Sequence, residues 1–126
     1  MADYGRAIKF GYFLIPNADD PLLSIAQQVE RLGLDYVAVQ DHPYQRRFVD
    51  TWSLLSMIAA TTSRIGLFPD VANLPLRPPA MMAKAAATID LLSAVDSNWD
   101  SAREDFGMPL RPMEALGAHP AWHSKP

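Results

Sequence analysis

The feature that most constrains this chain is a threefold alternation of short apolar runs with helix-like segments, joined by short connections. The strand-like runs occupy residues 8–15, 35–40 and 64–68. A segment with apolar residues three or four positions apart, the spacing of an amphipathic helix, follows the first two runs, and an Ala- and Met-rich helical segment follows the third. The order predicts an α/β fold made of parallel βαβ units with right-handed crossovers.

Sequence signals also predict where the helices begin and end. Asp20 is the expected N-cap of the first helix, Pro21 its first residue and Gly33 its end. Asp50 or Thr51 is expected to cap the second helix, and the third is expected to begin near Pro79. The predicted inner faces comprise Leu22, Ile25, Ala26, Val29 and Leu32 in the first helix, and Trp52, Leu55, Ile58 and Ala59 in the second.

The predicted strands indicate how they are buried and where function lies. The first run is apolar at nearly every position, which predicts a strand covered on both faces. Doubly wound sheets and (β/α)8 barrels both begin in this way, and both place their sites at the carboxyl ends of the strands. Those ends are residues 16–17, then Asp41 and His42, and then residues 70–73.

Length and composition narrow the class of protein. A chain of 126 residues fits a single domain, with residues 7–93 as its core and residues 94–126 as a helix and Pro-rich tail. The net charge of −3 gives no support for nucleic-acid or anionic-membrane binding. There is no cysteine and no apolar run of membrane-spanning length, so we expect a cytoplasmic protein. His119 and His123 have Pro120 between them and no nearby acidic ligand, so no metal site is predicted.

Three segments resemble the opening of the luciferase-like monooxygenases. They are "RLGLDYVAVQDHP", "DTWSLLSMIAATTSRIGL" and "NLPLRPPAMMAKAAATIDLLS", and the resemblance covers about residues 7–93. It is strongest to the branch of deazaflavin-dependent oxidoreductases within the bacterial luciferase superfamily. The resemblance implies a (β/α)8 TIM barrel that binds flavin mononucleotide (FMN) or the deazaflavin coenzyme (factor 420) at the carboxyl ends of the strands.

The resemblance also implies roles for particular residues. Asp41 and His42 match the acid–histidine pair of the active site, where they would orient substrate or handle protons. The segment after the third strand would contact the cofactor ring, and many family members carry a bulge or strained peptide there. In this chain it consists of Asp70, Val71, Ala72 and Asn73. Pro69, Asp70 and Ala72 stand where small or hydroxyl residues are usual.

No strand-like run follows residue 68, whereas the family continues with a fourth strand. The chain therefore resembles a truncated member that lacks strand four and the C-terminal half of the barrel. Three strands cannot close a barrel, so we expect a homo-oligomer, most simply a dimer, and impaired or lost catalysis. The alternative is a non-catalytic half-barrel dimer that binds a small molecule or another protein.

Overall fold

The computed structural model describes residue 5 and residues 7–93, and within them strands and helices alternate as predicted. The elements are β1 (Gly11–Leu14), α1 (Leu22–Arg31), β2 (Tyr36–Val39), α2 (Thr51–Thr61), β3 (Gly66–Pro69), a 3-10 turn (Leu74–Leu76) and α3 (Pro79–Leu92). Each strand has four residues and is shorter than its apolar run. The helix and tail predicted after residue 93 lie outside the described residues.

The three strands form one parallel sheet in the order β1-β2-β3. Gly11 pairs with Tyr36, and Tyr36 pairs with Gly66, so that corresponding positions of the strands stand side by side. Residues from all three helices pack against one apolar cluster that includes Leu14, Val37 and Val39 of the sheet. Helices on a single face are typical of a (β/α)8 barrel, whereas a doubly wound sheet carries them on both faces. This arrangement settles the alternative that the sequence pattern left open.

The core lies between the sheet and its helices. Its buried members are Leu14, Leu22, Ala26, Val29, Val37, Val39, Leu54, Leu55, Ile58 and Ile65. Every residue of β2 is buried, because this strand lies between two others and beneath the helices. None of the helices in the described part of the chain has the length and hydrophobicity needed to cross a bilayer.

The opposite face of the sheet, called here the inner face, is organised around Tyr36. Successive side chains of a strand alternate between faces, and Val37 and Val39 lie in the core, so Tyr36 and Ala38 belong to the inner face. The Tyr36 ring meets Phe68 edge-on, with 5.7 Å between ring centroids. A Cβ atom at Gly66 would lie 2.6 Å from the Tyr36 ring, so glycine gives this ring its space.

The prediction that the first strand is covered on both faces is wrong. Only Leu14 of β1 is buried, whereas Phe13 and Ile15 are 46% and 51% exposed. Helices α1 and α2 cover the face to which Leu14 belongs, and no described element covers the inner face near β1. An apolar run therefore identified the strand but not how its two faces are buried.

The predicted helix ends are largely confirmed. Gly33 follows α1 with a φ of 85°, the left-handed conformation that suits glycine, and α3 begins at Pro79. The first cap is wrong, because α1 is preceded by Pro21 with no side-chain cap and Asp20 contributes only its carbonyl oxygen, to Leu22 N–H. Contrary to the prediction, Leu32 does not belong to the face of α1 that packs on the core, since it follows the last helical residue and is 69% exposed.

Ile58 in α2 provides a test of this core. It is fully buried, so Ile58→Ala should lower the free energy of unfolding by about 2–5 kcal/mol through lost burial and a residual cavity. The measurement is urea denaturation followed by circular dichroism. Met57→Ala is the matched control, because Met57 is its exposed neighbour and should change stability by only about 0.5 kcal/mol. Equal losses in the two variants would contradict the packing.

Candidate active site at the carboxyl ends of the strands

The structure brings the two predicted groups of site residues together at one edge of the sheet. Backbone hydrogen bonds extend the pairing past the strand ends, from Gln40 N–H to the Leu14 carbonyl at 3.2 Å and from Asp70 N–H to the Val39 carbonyl at 2.8 Å. Farther along, the Asn73 N–H donates to Oδ2 of Asp41 at 2.9 Å. Asp41, two residues past β2, therefore accepts a hydrogen bond directly from the segment after β3.

Asp41 is a buried carboxylate whose charge is matched by Arg77. Its side chain is only 1% exposed. Arg77 Nε donates to Oδ2 and Arg77 Nη2 donates to Oδ1, each at 3.0 Å. Two parallel bonds of this kind are the strongest way in which a protein pairs a carboxylate. Such a pair satisfies a charge that would be costly to bury alone.

Arg77 also binds a second carboxylate. Its Nη2 donates to Oδ1 of Asp50 at 2.6 Å. Hydrogen bonding to Asp41, opposed by partial burial and supported by Asp50, raises the pKa of Arg77 above its ordinary value. Burial alone would raise the pKa of Asp50, but hydrogen bonds from Arg77 and Ser53 outweigh it and hold that pKa below its ordinary value. Both shifts favour the charged forms of Arg77 and Asp50 near neutral pH.

The cluster is anchored in the first turn of α2. Asp50 is the N-cap, as the sequence predicts, and its Oδ2 accepts hydrogen bonds from the Ser53 N–H and the Ser53 hydroxyl, both at 2.9 Å. The buried Thr51 hydroxyl donates to the Gln40 carbonyl at 2.7 Å, which ties the same turn to the end of β2. The start of α2 and the end of β2 are thus held together by the Thr51 hydroxyl and, through Arg77, by the carboxylates of Asp50 and Asp41.

His42 is half-buried and lies next to Asp41 in the chain. Its ring stacks on Tyr44, with 5.2 Å between the ring centroids and 22° between the ring planes. Tyr44 is itself exposed, so the pair forms an aromatic patch at the surface of the site. This contact holds the imidazole where a ligand above the strand ends could meet it.

The segment after β3 is the other side of the site. The peptide bond between Asp70 and Val71 is cis. Val71 is 71% exposed, whereas Ala72 and Asn73 are half-buried. The segment thus combines an exposed apolar side chain with a backbone N–H fixed on Asp41.

Two buried polar atoms near this edge have no hydrogen-bond partner among the described residues. They are Asn17 Oδ1, an acceptor just beyond β1, and Trp52 Nε1, a donor in the first turn of α2. A planar heterocycle with apolar faces and polar edges suits this edge of the sheet, since Val71 offers apolar contact and Asn17 an unpaired acceptor, whereas Trp52 packs against the core on the helical side. These residues fit the ring of a flavin or deazaflavin.

The described residues do not supply a comparable place for the phosphate of such a cofactor. Arg77 is engaged by its two carboxylates, and Arg46 and Arg47 are exposed in the loop between β2 and α2. In this part of the chain there is also no group of three potential metal ligands among histidines and carboxylates. His119 and His123 lie outside the described residues.

Sequence reasoning missed two parts of the site. For Arg77, beside two prolines, the sequence allowed either a carboxylate partner or a simple marker of the helix entrance, and it did not identify Asp41 and Asp50 as the partners. The stacking of Tyr44 on His42 was not foreseen, although an aromatic residue two positions after a strand-end histidine could have suggested it. The partners of Arg77 depend on which loops meet in space, whereas His42 and Tyr44 lie two positions apart in one loop.

One-sided helices and a parallel sheet with polar groups at its carboxyl ends define a segment of a (β/α)8 barrel. Residues 10–94 match the family model described as luciferase-like monooxygenase. The match covers more than half of the chain, so this chain belongs to the luciferase-like monooxygenase family. The predicted α/β fold and the resemblance are both confirmed.

Named relatives include enzymes that use the deazaflavin coenzyme. The F420-dependent glucose-6-phosphate dehydrogenase of Kineococcus radiotolerans is 36% identical over an alignment that covers 71% of this chain and 29% of that protein. The pyrimidine monooxygenase RutA of Allorhizobium ampelinum is 33% identical, over 56% of this chain and 21% of that protein.

A solved structure gives the same result for the fold. The coenzyme F420-dependent tetrahydromethanopterin reductase of Methanopyrus kandleri superposes with a TM-score of 0.61 and 26% identity, covering 83% of this chain and 31% of that one. This chain therefore spans less than a third of the length of each of these relatives.

The charge on Asp50 predicts a pH dependence of stability. Because its folded-state pKa is lowered, ionised Asp50 stabilises the fold fully above its unfolded pKa, and the contribution disappears as pH falls through the folded-state value. Asp50→Asn keeps an equally good helix cap and removes only the charge. The difference in unfolding free energy between wild type and variant should be constant from about pH 7 to 5 and shrink below about pH 4. Urea denaturation measures it, and a difference that persists unchanged to about pH 2 would contradict the role of this charge.

Proposed function

We propose that this chain binds the ring of a reduced flavin or deazaflavin at the carboxyl ends of its strands and acts in the oxidoreductase chemistry of its family. The observation that carries the proposal is the junction of residues 41–42 with residues 70–73, made by the Asn73 N–H bond to Asp41. The cofactor would supply hydride transfer or oxygen activation, and the protein would supply position and electrostatics.

In this proposal the two sides of the site have different tasks. Asp70, Val71, Ala72 and Asn73 would support the ring. Asp41 and His42 form the corner where substrate is oriented or a proton handled, and the exposed ring of Tyr44 keeps His42 in place. The relatives' names point to unlike substrates, namely a pyrimidine, glucose 6-phosphate and tetrahydromethanopterin. We therefore base the proposal on cofactor chemistry and leave the substrate unassigned.

We further propose that the isolated chain is a weak binder and a slow catalyst. The described residues offer the ring an apolar and polar surface, but they offer the phosphate only the exposed Arg46 and Arg47. Phosphate groups are usually held by helix N-termini and backbone N–H groups, and Pro21 just before α1 and Pro79 at the start of α3 lack the N–H. Affinity would then depend mainly on the ring.

Calorimetric titration with FMN and with the deazaflavin coenzyme tests this proposal. Wild type should bind one of them with micromolar affinity, and His42→Ala should weaken binding about tenfold, the effect of losing one well-placed contact. Ser24→Ala, on an exposed position of α1, is the control and should bind as wild type does. No heat with either cofactor would overturn the proposed function.

A second candidate function, a half-barrel dimer acting as a binding or interaction protein, is favoured by the inner face near β1. Phe13 and Ile15 are exposed there, and β1 is an edge strand of the described sheet. Exposed apolar patches beside an open strand edge favour association. We propose that a second copy of this chain covers the patch, because a two-fold interface brings the same apolar side chains together from both subunits.

Analytical ultracentrifugation tests the dimer. Wild type should sediment as a dimer at micromolar concentration, and Phe13→Asp should shift it to monomer because a carboxylate would be buried in the interface. Met57→Asp, an equally exposed residue on the helical side, should remain dimeric. A wild-type monomer, or a Phe13→Asp variant that stays dimeric, would show that this face is not the interface.

A further inference from the structure

Asp41 is placed as an anchor and not as a proton carrier. Oδ1 accepts from Arg77 Nη2, and Oδ2 accepts from both Arg77 Nε and the Asn73 N–H. The side chain is 1% exposed, so a proton on a substrate cannot reach it without breaking these bonds. Of the two residues at this corner, only His42 presents a side chain that is half open to a ligand.

Arg77 connects three parts of the site at once. It binds Asp41 at the end of β2 and Asp50 at the start of α2, and it belongs to the segment that follows residues 70–73. The segment is fixed at two further points, by Asp70 N–H on the Val39 carbonyl and by Asn73 N–H on Asp41. The position of Asn73 therefore depends on where the Asp41 carboxylate is held.

The sequence around Arg77 makes its backbone rigid. Pro78 follows it and restricts it to extended conformations, and its φ of −129° and ψ of 107° lie in that region. Pro75 restricts the backbone within the 3-10 turn that precedes Arg77. The Arg77 N–H donates to the Leu74 carbonyl of that turn at 3.3 Å. A restricted backbone limits the positions that the guanidinium can take, and so limits the movement of Asp41 and Asp50, which it binds.

We propose that Arg77 is a positioning residue that acts through Asp41 to set the distance between residues 70–73 and the His42 corner, and so the width of the ring-binding surface. The inference rests on the proposed function for its role in binding, but its structural part can be measured without a cofactor. Lysine cannot replace arginine here, because one ammonium group cannot bond both Asp41 oxygens and Asp50 in this fork geometry.

Amide hydrogen exchange measured by NMR is the first test. Arg77→Met, Arg77→Lys and Asp41→Asn should each lower protection of the Asn73 amide about tenfold relative to the Gln40 amide, which stays in the sheet. Arg64→Met is the matched control, since Arg64 bonds carbonyls of Glu30 and Leu34 near the other edge of the sheet. Asn73 protection equal to wild type in the Arg77 variants, or losses equal at Asn73 and Gln40, would overturn the proposal.

Ring binding is the second test, with FMN and the deazaflavin coenzyme titrated against each variant. If Arg77 acts through Asp41, the double variant Asp41→Asn/Arg77→Met should bind no more weakly than Arg77→Met alone, and both should be about tenfold weaker than wild type. The double variant also removes the unmatched buried charge, so it remains informative if Arg77→Met does not fold. Additive losses, or none, would overturn the positioning role.

The two proposals fail in different ways. If wild type binds neither cofactor, the proposed function fails, and the exchange of Asn73 still decides the role of Arg77. If wild type binds and the Arg77 variants bind equally well, the proposed function stands and the positioning role fails.

Discussion

The buried charge of Asp41 is the constraint on which the rest of this site depends. A carboxylate that is 1% exposed has to be matched, and Arg77 matches it with two bonds while the Asn73 N–H supplies a third. Because Arg77 also bonds Asp50, the cap of α2 belongs to the same cluster. One charge therefore joins the end of a strand, the start of a helix and the loop that leads to the next helix.

A second constraint is that the sheet is covered on one side only within the described residues. The helices bury the face that carries Val37 and Val39, whereas the inner face has Tyr36 and Phe68 at one end and the exposed Phe13 near β1. In a closed barrel the inner faces of the other strands fill this space. In this chain we propose that space as the route for a ligand and, in the second candidate function, as the surface that another copy covers.

Local signals predicted the local structure well. Asp50 as a cap, Gly33 as a helix end and Pro79 as a helix start are each decided by a residue and its immediate neighbours, and each was foreseen. The Asp20 cap was a local error, and the other errors occurred where burial depends on distant segments. Phe13 is exposed because no described element covers the inner face near β1. Arg77 could be paired with Asp41 only once the order of the strands brought their loops together.

The sequence by itself determined the alternation of strands and helices, the family and the set of strand-end residues, because these depend on periodicity, caps and local motifs. Only the tertiary structure decided that the helices share one face and that both oxygens of Asp41 are bonded by Arg77 and Asn73. The physical reason is that a buried ion pair and a covered face are properties of segments that lie far apart in the chain. Asp41 and Arg77 are separated by 36 positions, and no local pattern specifies their contact.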